Sequence, residues 1–210
     1  MGTPEKIDGR VSRAQKQREA RRTAVLGAAR QVFSQRGYHD TSIDDLILAA
    51  GIARGTFYLY FESKRAIFDE LLDELFVLLA ETVRRIDVSP GALPPVEQMD
   101  ATVDRVFGTL VENRDIARIL LREAVGIDAD FDRKLHDFYN RIEVLLVSAV
   151  ETGVEMGLVR SCDPTIVARC ILGAVKEVVH FAFVENDPAQ VDVQKMGHEL
   201  IAFTLKGLFV

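Results

Sequence analysis

Residues 41–64, TSIDDLILAAGIARGTFYLYFESK, decide how the rest of the chain is read. Ile43, Leu46, Ile47 and Ala50 recur at i, i+3, i+4 and i+7, the spacing of one buried helical face. Thr41 and Ser42 stand just ahead of that stripe as N-cap residues, with Asp44 and Asp45 three positions on in capping-box places. Gly51 supplies a residue that can close a helix in the left-handed conformation without a Cβ penalty. A second, shorter helix is expected from about Ala53 to Tyr60. Two short helices joined by a glycine-containing turn make a helix-turn-helix unit, whose second helix enters the major groove of DNA.

The second helix can be read by angle. At about 100° per residue, Phe57 and Phe61 fall on the core side, Gly55 and Leu59 fall opposite them, and Arg54, Thr56, Tyr58 and Tyr60 take the flanks. Such an outward patch suits a groove better than bulk water. Arginine pairs with guanine O6 and N7, glycine lets the backbone approach closely, and leucine touches a thymine methyl. Threonine and tyrosine hydroxyls donate to phosphate oxygens. Lys64 and Arg65 open the next helix after the cap Ser63, where the helix dipole disfavours positive charge, so an anion such as phosphate is expected nearby. The other reading pairs Arg65 with Asp69 four residues on and leaves Lys64 solvated.

These residues also carry a resemblance. AARQVFSQRGYHDTSIDDLILAAGIARGTFYLYFESKRAIFDELL is similar to the N-terminal module of the TetR family of bacterial transcriptional regulators, continuously from about Ala24 to Leu72. Its most specific part is GTFYLYFESK, where family members commonly carry G-T-x-Y-x-Y-F-x-S-K. The resemblance implies phosphate contacts at Thr41 or Ser42, Thr56, Tyr58, Tyr60 and Lys64, and base-reading positions at Arg54, Gly55 and Leu59. Those last three coincide with the angular reading.

The chain has 210 residues, room for one large or two small domains; 48% hydrophobic and 28% charged residues belong to a globular protein. No run approaches about eighteen uninterrupted apolar residues, and the polar, basic N-terminus has no apolar run behind it, so neither a membrane span nor a secretory signal is expected. Cys162 and Cys170 have no second pair to make a metal site or disulfide framework, which fits a reducing cytoplasm. The net charge of −6 hides an asymmetry. Residues 1–65 hold 12 Lys/Arg against 7 Asp/Glu, whereas residues 66–210 hold 14 against 25. A basic head on an acidic body is what a phosphate backbone selects if only the head touches it.

In chain order, residues 1–18 read as a basic flexible arm and 19–63 as the helix-turn-helix DNA-binding domain. The first helix runs from roughly Glu19 to Arg36, with Val25, Ala29, Val32 and Phe33 buried and Gly37 closing it. Residues 64–210 form a larger helical domain. Its first helix extends from about Lys64 to Ile86 and links the two halves; DVSPGALPP at 87–95 then breaks the chain. Helical stripes continue through Val96–Leu110, Ile116–Leu120 and Phe131–Ala149, the last ending near Gly157. Pro164 starts a helix after Asp163 that reaches about Glu185, and Val191–Phe209 makes another. The expectation is an all-α chain of about nine helices, without strands.

No glycine-rich phosphate loop, G-x-S-x-G elbow or H-E-x-x-H pair occurs, so no enzyme, cofactor or metal is expected. Glu177 and His180 have i, i+3 metal spacing, but a hydrogen bond is the commoner use of such a pair. The family resemblance implies a small-molecule pocket in the body. Phe107, Leu110, Leu121, Phe138, Ile142 and Phe181 are candidate walls, and Asn113, Tyr139, Arg141 or His180 candidate polar handles. An elongated hydrophobic effector is suggested by apolar content alone. The last two helices carry wider apolar stripes than one buried face needs, with Cys170, Gly173, Ala174, Val178, Leu200, Phe203 and Leu208 as interface candidates. In the family resembled, these helices pair with a second copy as a four-helix bundle. A homodimer also suits a palindromic site, whose halves lie about one helical turn apart or a multiple of it. The resulting expectation is a ligand-responsive repressor released from double-stranded DNA by a small hydrophobic effector. Alternatives are a DNA-binding activator, or a helical ligand-binding protein or enzyme with a basic N-terminal bundle.

Overall fold

The computed structural model describes residues 5–122, 129–186 and 190–208. Among them the chain is helical throughout: α1 (Glu5–Arg36), α2 (Ile43–Ala50), α3 (Arg54–Tyr58), α4 (Lys64–Thr82), α5 (Pro95–Glu112), α6 (Arg114–Arg122), α7 (Ala129–Glu155), α8 (Pro164–His180) and α9 (Val193–Leu208). A π-helical turn, Phe181–Glu185, continues α8. The chain divides into two compact units, Met1–Leu71 and Leu72–Val210, so the boundary falls within α4 rather than at the expected 63/64.

The first unit is built around Val25, Ala29 and Phe33 of α1, Leu46 of α2, Phe57 and Phe61 beside α3, and Ile67 and Phe68 of α4, all buried. Gly37, at φ 88°, turns the chain out of α1 while its N–H still bonds Phe33 O at 2.8 Å. Ser42 caps α2 as expected: its Oγ accepts from Asp45 N at 3.2 Å, and its own N–H donates to Asp45 Oδ2 at 2.9 Å. That reciprocal box holds the Asp45 carboxyl below the usual carboxylate range, chiefly through the Ser42 side-chain bond. Gly51 closes α2 at φ 63°, sending Ile52 N to Ile47 O. One expectation fails here. Residues 5–18, read as a flexible arm, continue α1, since Lys, Arg, Gln, Glu and Ala outnumber the helix breakers before Arg36.

In the second unit α7 packs on α8, α5 on α9, and α6 on the π-helical turn. Its core gathers Phe107, Leu110, Ala117, Val179, Ala182, Phe183 and Val193. α4 ends at Thr82, short of the expected Ile86. Thr82 turns its Oγ back to Leu79 O at 2.6 Å, and Arg105 of α5 donates from Nε to Thr82 O at 3.1 Å, capping the helix end. The Gln98 side chain then clips the proline-rich loop. Its Oε1 accepts from Asp87 N at 2.8 Å, and its Nε2 donates to Asp87 O and Leu93 O. Asp163 caps α8 by accepting from Thr165 N and Ile166 N at 2.9 and 3.1 Å, ahead of Pro164. Arg160 closes the other end of the unit, donating from N and Nε to Leu208 O and Gly207 O. Ala149, expected on the buried stripe of α7, is exposed. Phe131 lies outside the residues whose side chains are described.

Candidate nucleic-acid interface and apolar cavity

The short α3 separates its faces sharply. Phe57 is 0% exposed and packs at 6.3 Å, centroid to centroid, from buried Phe61, whereas Leu59 is 69% exposed. Gly55 lies on the same outer side as Leu59 and has ordinary negative φ; a Cβ built there meets nothing within 4 Å. Nothing inside the fold demands a glycine at that position, so what the missing side chain leaves open is approach from outside. Arg54 and Tyr58 are exposed, and Thr56 and Tyr60 are half-buried on the flanks. Arg54 pairs through its guanidinium with the Asp44 carboxylate of α2, both groups largely in solvent.

Two of the proposed phosphate contacts are placed otherwise. Thr41 is 2% exposed, and its Oγ donates to Gly37 O at 2.6 Å, so of the Thr41/Ser42 pair only Ser42 reaches the surface. Lys64 is turned inward rather than solvated. Its Nζ donates to the carbonyls of Tyr38 (2.6 Å), Thr41 (2.7 Å) and His39 (3.3 Å), and lies 4.3 Å from the Tyr38 ring centroid. The anions expected near this ammonium are therefore the carbonyl dipoles of the turn between α1 and α2. Arg65 meets Asp69 at 3.4 Å, the i, i+4 reading. Ser63 caps α4, its Oγ accepting from Ala66 N at 3.1 Å.

The second unit holds an apolar cavity of about 150 Å³. α4 lines it with Leu75 and Leu79, α6 with Leu120 and Leu121, α7 with Phe138 and Ile142, and α8 with Leu172 and Val175. Of the expected walls, Leu110, Leu121, Phe138 and Ile142 lie on it. Four other expected residues do not, each for a stated reason. Phe107 is consumed by packing on Gly197 of α9, where an added Cβ would meet its ring at 2.8 Å. Arg141 stacks over Phe76 at 3.6 Å and pairs with Asp73 at 2.6 Å. His180 faces Glu185 at 3.2 Å, not Glu177, and Phe181 stands 44% exposed on the π-helical turn. Asn113 spends its amide on Thr109 O at 2.8 Å.

Two polar groups do line the cavity, Tyr139 and Lys176. The Tyr139 hydroxyl is buried without a hydrogen-bond partner, and burial pushes its pKa up to about 12. Lys176 went unrecognised in the sequence. Its signal was the stripe Ile171, Leu172, Val175 and Val179, which it adjoins and whose lining role shows only once α8 is packed on α7.

Of the interface candidates, Cys170 and Gly173 are exposed on α8 in line with Ile166, and Phe203 on α9 is 77% exposed. Ala174 and Leu208 are half-buried. Val178 and Leu200 pack in part against this chain's own core, leaving less of them for a partner. Among the described residues, no group of three His, Cys, Asp or Glu converges as a metal site, and no helix is long and apolar enough to cross a membrane.

The chain's relatives agree with this geometry. Residues 25–71 match the family model of bacterial regulatory proteins of the tetR family, and residues 92–180 that of a tetracyclin repressor-like C-terminal domain. The uncharacterized HTH-type transcriptional regulator YdgC of Bacillus subtilis (strain 168) is 28% identical over 201 residues, covering 89% of this chain and 94% of its own length. Among solved structures, the SmeT–triclosan complex, SmeT being from Stenotrophomonas maltophilia, superposes with a TM-score of 0.74 at 23% identity, covering 91% and 92% of the two chains. FadR from Bacillus subtilis in complex with stearoyl-CoA superposes at 0.72 with 19% identity, covering 88% and 98%. With the DNA-reading head and the cavity-bearing body each matched by its own model, the chain belongs to the TetR family and is a ligand-responsive, DNA-binding regulator of transcription.

Proposed function

We propose that the protein is a homodimeric repressor that acts in the cytoplasm, sits on a palindromic operator through two copies of α3, and leaves it when a small hydrophobic effector fills the cavity. The observation that carries the reading is the outer side of α3: a 69% exposed leucine and a glycine with open space above it, beside Arg54 and over a fully buried Phe57. In water an exposed leucine gains nothing, whereas in a major groove it meets a thymine methyl while arginine takes guanine. Tyr58, Thr56, Tyr60 and Ser42 supply hydroxyls for phosphates, and Lys64 supports them by fixing the turn that carries Ser42.

The dimer is supported by the unpartnered line Ile166, Cys170 and Gly173 on α8 and by Phe203 on α9, apolar or small groups left in solvent by one chain. Effector release is a population shift. A ligand that binds better when α4 has swung favours dimers whose heads no longer match operator spacing, and only the difference in its affinity for the two states does work. That related folds are known with triclosan and with stearoyl-CoA supports an apolar ligand.

The test is selection of binding sites from random duplex DNA, followed by affinity measurements across a salt series. A palindromic consensus is expected, with Arg54→Ala broadening it at one or two positions, an effect of about 1–3 kcal/mol. Tyr58→Phe should weaken all sequences alike. Absence of any site-specific complex, or an unchanged consensus for Arg54→Ala, overturns the assignment.

A further inference from the structure

The cavity constrains the chemistry of its occupant, an inference that rests on reading the protein as effector-responsive. Apart from Tyr139 and Lys176 its lining is aliphatic or aromatic, and no carboxylate lies on it among the described residues. The fixed charge at the wall is therefore a single positive one. Lys176 Nζ lies 4.2 Å from the centroid of the Tyr139 ring, so the two polar groups form one cluster rather than two separate spots. The Tyr139 hydroxyl is buried and bonded to nothing in the protein, an arrangement that folded chains avoid unless a ligand or water completes it. With its pKa pushed up to about 12, it stays a neutral O–H donor throughout the physiological range. The volume, about 150 Å³, is that of an engineered apolar cavity able to hold benzene, so it suits one ring or a short chain.

We propose that the cavity takes a small monoanionic amphiphile: a hydrocarbon body of about six to eight carbons, sized to such a cavity, ending in a carboxylate that pairs with Lys176 and accepts a hydrogen bond from Tyr139 Oη. A cationic amphiphile is disfavoured because it would bring a second positive charge to Lys176 with no carboxylate to receive it. A neutral alcohol keeps the apolar burial and loses the charge pairing. A cavity of this kind without polar groups would rank the three by hydrophobicity alone, so the ranking by charge is the signature of the cluster.

Isothermal titration of the full-length protein with octanoate, octanol and octylammonium reads that ranking. Octanoate is expected to bind about tenfold more tightly than octanol, the scale of one charge-assisted hydrogen bond, with octylammonium weakest. Lys176→Gln should bring octanoate to the level of octanol. Tyr139→Phe should weaken both while raising thermal stability, since it removes a buried polar atom without a partner; the rise also shows that the variant is folded. Binding of octylammonium as tight as octanoate, an octanoate preference that survives Lys176→Gln, or no binding of any of the three overturns the proposal. DNA release is measured separately. Octanoate that binds with this selectivity yet leaves the operator complex intact counts against the effector reading and leaves the cavity chemistry standing.

Discussion

Lys64 illustrates how a charge can be misread from position alone. Helix starts disfavour cations, so a lysine there invites an external anion, yet three carbonyl oxygens of residues 38–41 converge on this one. Lys64→Met should therefore destabilise the DNA-binding head by about 1–3 kcal/mol, the cost of leaving charge-bonded carbonyls short of a donor. Thermal unfolding and hydrogen exchange over residues 37–50 would register it; unchanged stability with a smaller salt slope of DNA binding would return Lys64 to the phosphate contacts. Gly197 offers a second case. An alanine there drives Cβ to 2.8 Å from the Phe107 ring, so Gly197→Ala should cost about 1–3 kcal/mol in denaturant unfolding by overpacking. Residues whose job is local were legible: Ser42 and Asp163 announce caps, and the angle between Phe57 and Leu59 follows from helical geometry. Thr41, Lys64 and Lys176 were not, because each is defined by an element distant in sequence.

Among elements, α4 is the one most tied down by charge within the second unit. Asp73 receives Lys134 Nζ at 2.8 Å and Arg141 at 2.6 Å, both from α7. Burial alone would raise its carboxyl, but the hydrogen bonds from Lys134 and Arg141 together with their charges outweigh it and hold the group below the usual carboxylate range. A depressed folded-state value means the stabilisation is complete above the ordinary carboxylate pKa and disappears as pH falls through the lowered one. Unfolding free energy should thus decline in the acid range in the wild type, and Asp73→Asn should remove part of that decline while lowering stability at neutral pH. An acid limb identical in the two proteins would show that the pair contributes nothing. Element existence was readable from apolar spacing, whereas element ends were less so. The close of α4 at Thr82 depends on Arg105, twenty-three residues on, and the start of α1 at Glu5 on the lack of any strong breaker in a polar stretch.

For the molecule as a whole, the prediction concerns assembly. Phe203, 77% exposed on α9, is the largest apolar group that one chain leaves in solvent on its last two helices. Phe203→Glu should shift sedimentation from dimer to monomer and abolish tight binding to a palindrome while sparing the weak, salt-sensitive association of a single head with DNA. A variant that remains dimeric removes Phe203 from the interface. The charge division between residues 1–65 and 66–210 makes the same point at long range, since only the basic part gains by releasing counterions from a duplex.

One contact bears on how such a molecule searches a chromosome. The guanidinium of Arg54 already has a carboxylate in Asp44, and surface pairs of this kind are worth only about 0.2–1 kcal/mol. Over random sequence the side chain stays folded against its own protein and adds little grip, so the head glides on hydroxyls and charge. Where a guanine presents two acceptors, the swap of partners is downhill and the glide ends. A weak internal rival thus sharpens the contrast between passing over a sequence and stopping on it.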